Sequence, residues 1–147
     1  MTDRLYQPFV EATRSVFQLM LDLQATECPA DGFSPAGVTD ISVGIVGDLT
    51  GEVVYRFPEE TSLNMVKIMC GMEIEAVDEF VTSAISEIAN IISGNVMTLL
   101  AESDYKCDIL PPAVGEETPG DYAVSSDLRI STTAGDVCLA IRLNPAG

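Results

Sequence analysis

The chain has 147 residues, 7 basic against 23 acidic side chains and no histidine, for a net charge of −16. With 47% hydrophobic residues and a mean hydropathy of +0.26, it can build a core, so a disordered acidic tail is excluded and a single domain over residues 1–147 is expected. The charge repels phosphate backbones and argues against nucleic acid as a partner, and the lack of histidine removes Ser-His-Asp and Cys-His catalysis and histidine metal ligation.

In chain order, Phe9, Ala12, Val16, Phe17, Met20 and Leu23 recur at steps of three and four, which predicts a first helix from Leu5 to about Gln24. The Pro, Gly and Asp of Glu27–Gly37 predict a loop, or a loop leading into a short strand. Val38–Val46 and Glu52–Phe57 read as a hairpin around the turn formers of Gly47–Gly51. After Pro58, acidic and hydroxyl residues open a short second helix that Gly71 closes. A long third helix is predicted from about Ala76 to Leu100. Cys107–Val114 looks extended, with Pro111 and Pro112 restricted to an edge or strand end because neither can donate to a ladder. A solvated loop over Glu116–Asp121 precedes a second hairpin, Tyr122–Thr132 and Asp136–Leu143.

Helices interleaved with hairpins predict an α+β fold in two layers, a largely antiparallel sheet of about five or six strands with helices on one face. The order further suggests two degenerate halves, the first helix with its hairpin and the third helix with its own. The apolar stretch Ile85–Leu100 is interrupted by Ser86, Glu87, Asn90, Ser93, Gly94 and Asn95, so a membrane span is not expected. No basic segment followed by an apolar one opens the chain, so no signal peptide is read. Cys28, Cys70, Cys107 and Cys138 lie far apart without a C-x-x-C pair, which predicts free thiols, a reducing cytoplasmic setting and no metal site.

The third helix carries the functional signal. At about 100° per residue, Glu87, Asn90 and Gly94 all fall within about 40° of Ser83, while Val81, Ile85, Ile88, Ile92, Val96 and Leu99 take the opposite side. Polar residues on the water side of a helix are ordinary, yet Asn is a weak helix former and a mid-helix Gly costs about 1 kcal/mol relative to Ala. A partner approaching closely would explain a residue without a side chain.

These residues resemble the CheC/CheX/FliY phosphatases of bacterial chemotaxis, whose signature is Asp or Ser, three residues, Glu, two residues, Asn, twenty-one residues and then Pro. Ser83, Glu87, Asn90 and Pro112 occupy all four positions. In the first helix Gln7, Glu11 and Arg14 stand at the equivalent spacing, but Arg14 replaces the Asn and Ala36 the Pro. One intact site makes the chain similar to the CheX-like branch, whose members dimerise. Dimerisation also has an independent motive in extended runs such as Tyr122–Thr132 that could pair at an exposed sheet edge.

The resemblance implies a protein substrate, a CheY-like response regulator phosphorylated on aspartate. An acyl phosphate is already activated and needs only a water held in line with its leaving carboxylate. Asn90 would hold that water without titrating. Glu87 would pair with the lysine beside the receiver's phosphoaspartate. Ser83 and Gly94 would lie at the contact, and Pro112 would shape a loop beside the helix. The Mg²⁺ would sit in the receiver, leaving this chain without a cofactor of its own. Two other readings stay open: a receiver-binding or flagellar-switch module without turnover, and an acidic adaptor whose charge attracts a basic partner.

Overall fold

The computed structural model describes residues 5–29, 37–73, 75–115 and 120–145. Residues 30–36 of the first expected loop, with Ala36, and residues 116–119 of the second lie outside these.

Helix α1 (Gln7–Leu21) opens with Pro8 in its first turn and ends where Asp22 turns left-handed at φ 53°. It stops short of the expected Gln24, although Leu23 remains buried beyond it. Strand β1 (Thr26–Pro29) follows. The first hairpin is β2 (Thr39–Gly47) and β3 (Leu49–Phe57), turning at Asp48 more tightly than the five-residue turn expected. Gly51 sits at φ 145°, and a Cβ there would collide with the backbone carbonyl of Arg142, so glycine lets the neighbouring strand approach. Helix α2 (Glu59–Cys70) has Glu59 and Glu60 at its positive end and closes on Gly71 at φ 67°. Helix α3 (Glu79–Glu102) begins after Asp78, whose carboxylate accepts from Val81 N at 3.1 Å. That cap places the start three residues later than periodicity suggested. Pro111 and Pro112 divide the expected Cys107–Val114 run into β4 (Cys107–Ile109) and β5 (Ala113–Val114). The second hairpin is β6 (Val124–Thr132) and β7 (Gly135–Pro145).

The described strands form one seven-stranded antiparallel sheet in the order β1-β6-β7-β3-β2-β4, with β5 also pairing β2. The α+β, two-layer architecture is as expected. The strand count exceeds five or six because the proline break yields two short strands and Thr26–Pro29 adds another. The two halves meet along β3 and β7 and along α1 and α3. Each half also lends a short strand to the other: β1, after α1, pairs with β6, while β4, after α3, pairs with β2. The expected free edge at Tyr122–Thr132 is therefore corrected in part, since among the described residues Val124–Asp127 pair with β7 alone. Residues Leu128–Ser131 of β6 are covered by β1, and β1 is the terminal strand.

Val53, Tyr55 and Phe57 of β3 and Val137, Leu139 and Ile141 of β7 share one core with Ile85, Ile88, Ile92 and Val96 of α3. Leu99, assigned to that stripe from the sequence, is only partly buried, and Leu100 takes the core position near the helix end. By length and composition α3 could pass for a membrane span, with mean hydropathy 1.3. Its apolar side instead faces the sheet. The opposite face of the sheet carries the ion pairs Arg142–Asp127 at 2.8 Å, Arg56–Asp40 at 3.8 Å and Arg129–Asp136 at 3.9 Å.

Candidate functional site

The core sets the rotation of α3. Val81, Ile85, Ile88, Ile92, Val96 and Leu100 are fully buried, so turning the helix to hide its polar side would expose them, at roughly 1.5–3 kcal/mol for each large side chain. Ser83 and Glu87 are consequently exposed, and Asn90 and Gly94 half-buried, on one continuous face. With a rise of about 1.5 Å per residue, Asn90 stands about 4.5 Å along the axis from Glu87, close enough for both to meet one small group.

Gly94 lies one turn beyond Asn90. A Cβ built there meets nothing within 4 Å, so nothing in the described protein requires a glycine. Helix α3 contains no lysine or arginine, and its polar face bears the carboxylate of Glu87. Three of the five arginines are spent on ion pairs across the far side of the sheet. The face can thus accept hydrogen bonds and attract a cation, and Asn90 adds a neutral amide able to donate and accept.

Pro112 is half-buried between β4 and β5, both of which pair with β2. Its place is the edge of the sheet, where its missing N–H costs no ladder bond, next to β4, which packs against α3. Leu110 N donates to Gly44 O at 2.9 Å and ties this turn to β2. On α1, Gln7, Glu11 and Arg14 are all exposed. Arg14 stands where the second motif would need an amide, and with Glu11 it lines an open groove of about 470 Å³.

Two features were not foreseen. Ser93, on the buried side of α3, is fully enclosed and shares a 2.9 Å hydrogen bond with the hydroxyl of Tyr55 on β3. Burial pushes the Tyr55 hydroxyl well above its ordinary pKa, partly offset by the bond to Ser93, so it stays protonated. Phe80 is half exposed and lies one turn before Ser83 on the motif face, an offset of three that the helical wheel could have disclosed.

Residues 41–133 match the family described as Chemotaxis phosphatase CheX. That stretch contains Ser83, Glu87, Asn90, Gly94 and Pro112. The CheY-P phosphatase CheX of Thermotoga maritima is 34% identical over 109 residues, covering 68% of this chain and 69% of that protein. The chain belongs to the CheX family. The fold agrees with CheX from Vibrio vulnificus at a TM-score of 0.78, with 23% identity over 98% of this chain and 99% of that one. It also agrees with a chain of the CheX-CheY-BeF3-Mg²⁺ complex from Borrelia burgdorferi, at a TM-score of 0.71 and 24% identity over 94% and 96% of the two chains.

Proposed function

We propose that this CheX family member hydrolyses the aspartyl phosphate of a CheY-like response regulator. The observation that carries the reading is the outward face of α3, where Glu87 is exposed, Asn90 is half-buried one turn away and Gly94 leaves open space. The CheY-P phosphatase CheX of Thermotoga maritima and the CheX-CheY complex of Borrelia burgdorferi support it.

In this reading α3 docks over the receiver's phosphorylation pocket. The Asn90 amide holds a water in line with the bond between phosphorus and the aspartyl oxygen. Water oxygen bonds to phosphorus, that P–O bond breaks, and the aspartate leaves as a carboxylate, giving inorganic phosphate. An aspartate in place of Asn90 would repel the phosphoryl oxygens. Glu87 pairs with the receiver's lysine and orients the docked helix, Ser83 adds a hydrogen bond at the contact, and Gly94 permits close approach. Pro112 holds the strand-edge turn. The Mg²⁺ belongs to the receiver's acidic pocket, and this chain contributes no metal or cofactor. The protein acts in the cytoplasm, consistent with four free cysteines, as a homodimer, and takes neither nucleic acid nor membrane as partner.

Phosphate release from a phosphorylated receiver tests this. Asn90→Ala is expected to lose most of the rate with folding and receiver affinity retained, because the side chain is not part of the core. Glu87→Ala is expected to weaken affinity for the phosphorylated receiver. Wild-type rates in Asn90→Ala would remove Asn90 from the reaction. Tight binding without any turnover by the wild-type protein would favour a receiver-binding module.

A further inference from the structure

Among the described phenylalanines, Phe9, Phe17 and Phe57 are 0% exposed, whereas Phe80 is 50% exposed. Exposure alone is not a signal, since Leu19 and Val114 are more exposed still, so a reason for Phe80 has to come from where it stands. Its position supplies one. Phe80 lies about 60° around the helix from Ser83 and about 20° from Glu87. It is therefore on the side of α3 that carries the motif, not on the side facing the sheet. Its exposure at the start of the helix also leaves room for a partner surface, since Glu79 and Phe80 are both exposed while Val81 turns inward.

We infer that Phe80 is the apolar anchor by which this chain selects its receiver, seated on an apolar patch of the receiver's surface beside the phosphorylation pocket. The inference rests on the proposed docking of α3 over that pocket, and it deepens that reading by separating two jobs on one face. Glu87 and Asn90 address groups every phosphorylated receiver has, the lysine, the phosphoryl group and its water, so they cannot distinguish one receiver from another. Phe80 is about 10.5 Å along the helix from Glu87 and about 15 Å from Asn90 at 1.5 Å rise per residue. At that distance it contacts the partner's outer surface rather than its reaction centre. Exposed aromatics at interfaces supply much of the binding energy because they bury a large area at low entropic cost. Apolar contact on a strongly acidic protein also keeps affinity where long-range repulsion from other acidic surfaces would weaken it.

The occupant is thus the phosphorylated receiver and not a second copy of this chain. Kinetics of phosphate release, receiver titration and oligomeric state, measured together for wild type, Phe80→Ala, Phe80→Leu and Asn90→Ala, decide the matter. Phe80→Ala is expected to raise KM for its own receiver about tenfold with kcat nearly unchanged. Phe80→Leu should recover most of the loss, and Asn90→Ala should show the opposite split, a lost kcat at retained affinity. An unchanged KM in Phe80→Ala beside a disabled Asn90→Ala overturns the anchor and leaves the phosphatase reading standing. A change in oligomeric state on Phe80→Ala without a change in KM assigns the residue to self-association and also overturns it. Absence of turnover and binding in the wild-type protein with all receivers tried overturns both.

Discussion

Replacing Gly94 by alanine sets the needs of the helix against those of the site. A glycine inside α3 sacrifices about 1 kcal/mol of helix stability relative to alanine, and the added methyl would meet no atom within 4 Å. Gly94→Ala should therefore resist urea better than wild type by up to about 1 kcal/mol. If the glycine exists for close approach of a receiver, the same change should raise KM for phosphate release. Urea melts and steady-state kinetics on one preparation would show the trade. A more stable variant with unaltered KM would place Gly94 outside the contact. In the proposed reading Asn90 and Phe80 make a complementary pair at this scale, one assigned to the reacting atoms and one to the choice of partner.

At the scale of the element, α3 has to present its polar side in one orientation, and two kinds of force hold it there. Burial of Ile85, Ile88, Ile92 and Val96 is strong but non-directional. The Tyr55–Ser93 hydrogen bond is directional and joins β3 to α3 at the level of Asn90 and Gly94. Removing one partner leaves the other hydroxyl buried and unsatisfied, so Tyr55→Phe should cost about 1–3 kcal/mol, while Tyr55→Phe combined with Ser93→Ala should cost less than the single change. The pair also carries a pH signature. Tyr55 has its pKa raised from the ordinary 10.0 by burial. Below pH 10 both folded and unfolded states hold the proton and its contribution is fully present. Above pH 10 the unfolded tyrosine ionises while the folded one does not, so stability falls by about 1.4 kcal/mol per pH unit. Denaturation between pH 9 and pH 11 should show a steeper decline in wild type than in Tyr55→Phe. Parallel declines would mean that Tyr55 does not govern the alkaline limit.

For the whole molecule, the exchange of β1 and β4 between halves ties the domain together. Each hairpin has part of its outer strand covered: β6 is paired along Leu128–Ser131 by β1, and β2 by β4 and β5. Helix α2, which belongs to neither half, is fastened to the second hairpin by Thr61 to Asp136 O at 2.8 Å and Asn64 to Ala134 O at 2.9 Å. Among the described residues β1 has a strand on one side only, which leaves its other side for pairing with a second chain. Light scattering at micromolar concentration is expected to report twice the 15.7 kDa chain mass. A species of 15.7 kDa would exclude the dimer. The net charge of −16 bears on this scale too. Self-repulsion should weaken the dimer at low ionic strength and relax as salt screens it.

Periodicity was enough to find the three helices and both hairpins, because amphipathic patterns are local and the core only ratifies them. It also placed Ser83, Glu87, Asn90 and Gly94 on one face, since a rotation that hid them would expose the isoleucines opposite. Helix ends are less legible in the sequence. They depend on caps such as Asp78 and the left-handed Asp22, which act through single backbone groups. The proline pair marked a strand edge by itself, but what no local pattern could carry was partnership across the chain: that Thr26–Pro29 would pair with part of a hairpin a hundred residues away, and that Ser93 would face Tyr55. Those outcomes depend on which surfaces meet once the two halves are joined. Chain order and hydrophobic spacing therefore determined the elements and their outward faces, while tertiary assembly alone decided which strands are edges and which buried polar groups find partners.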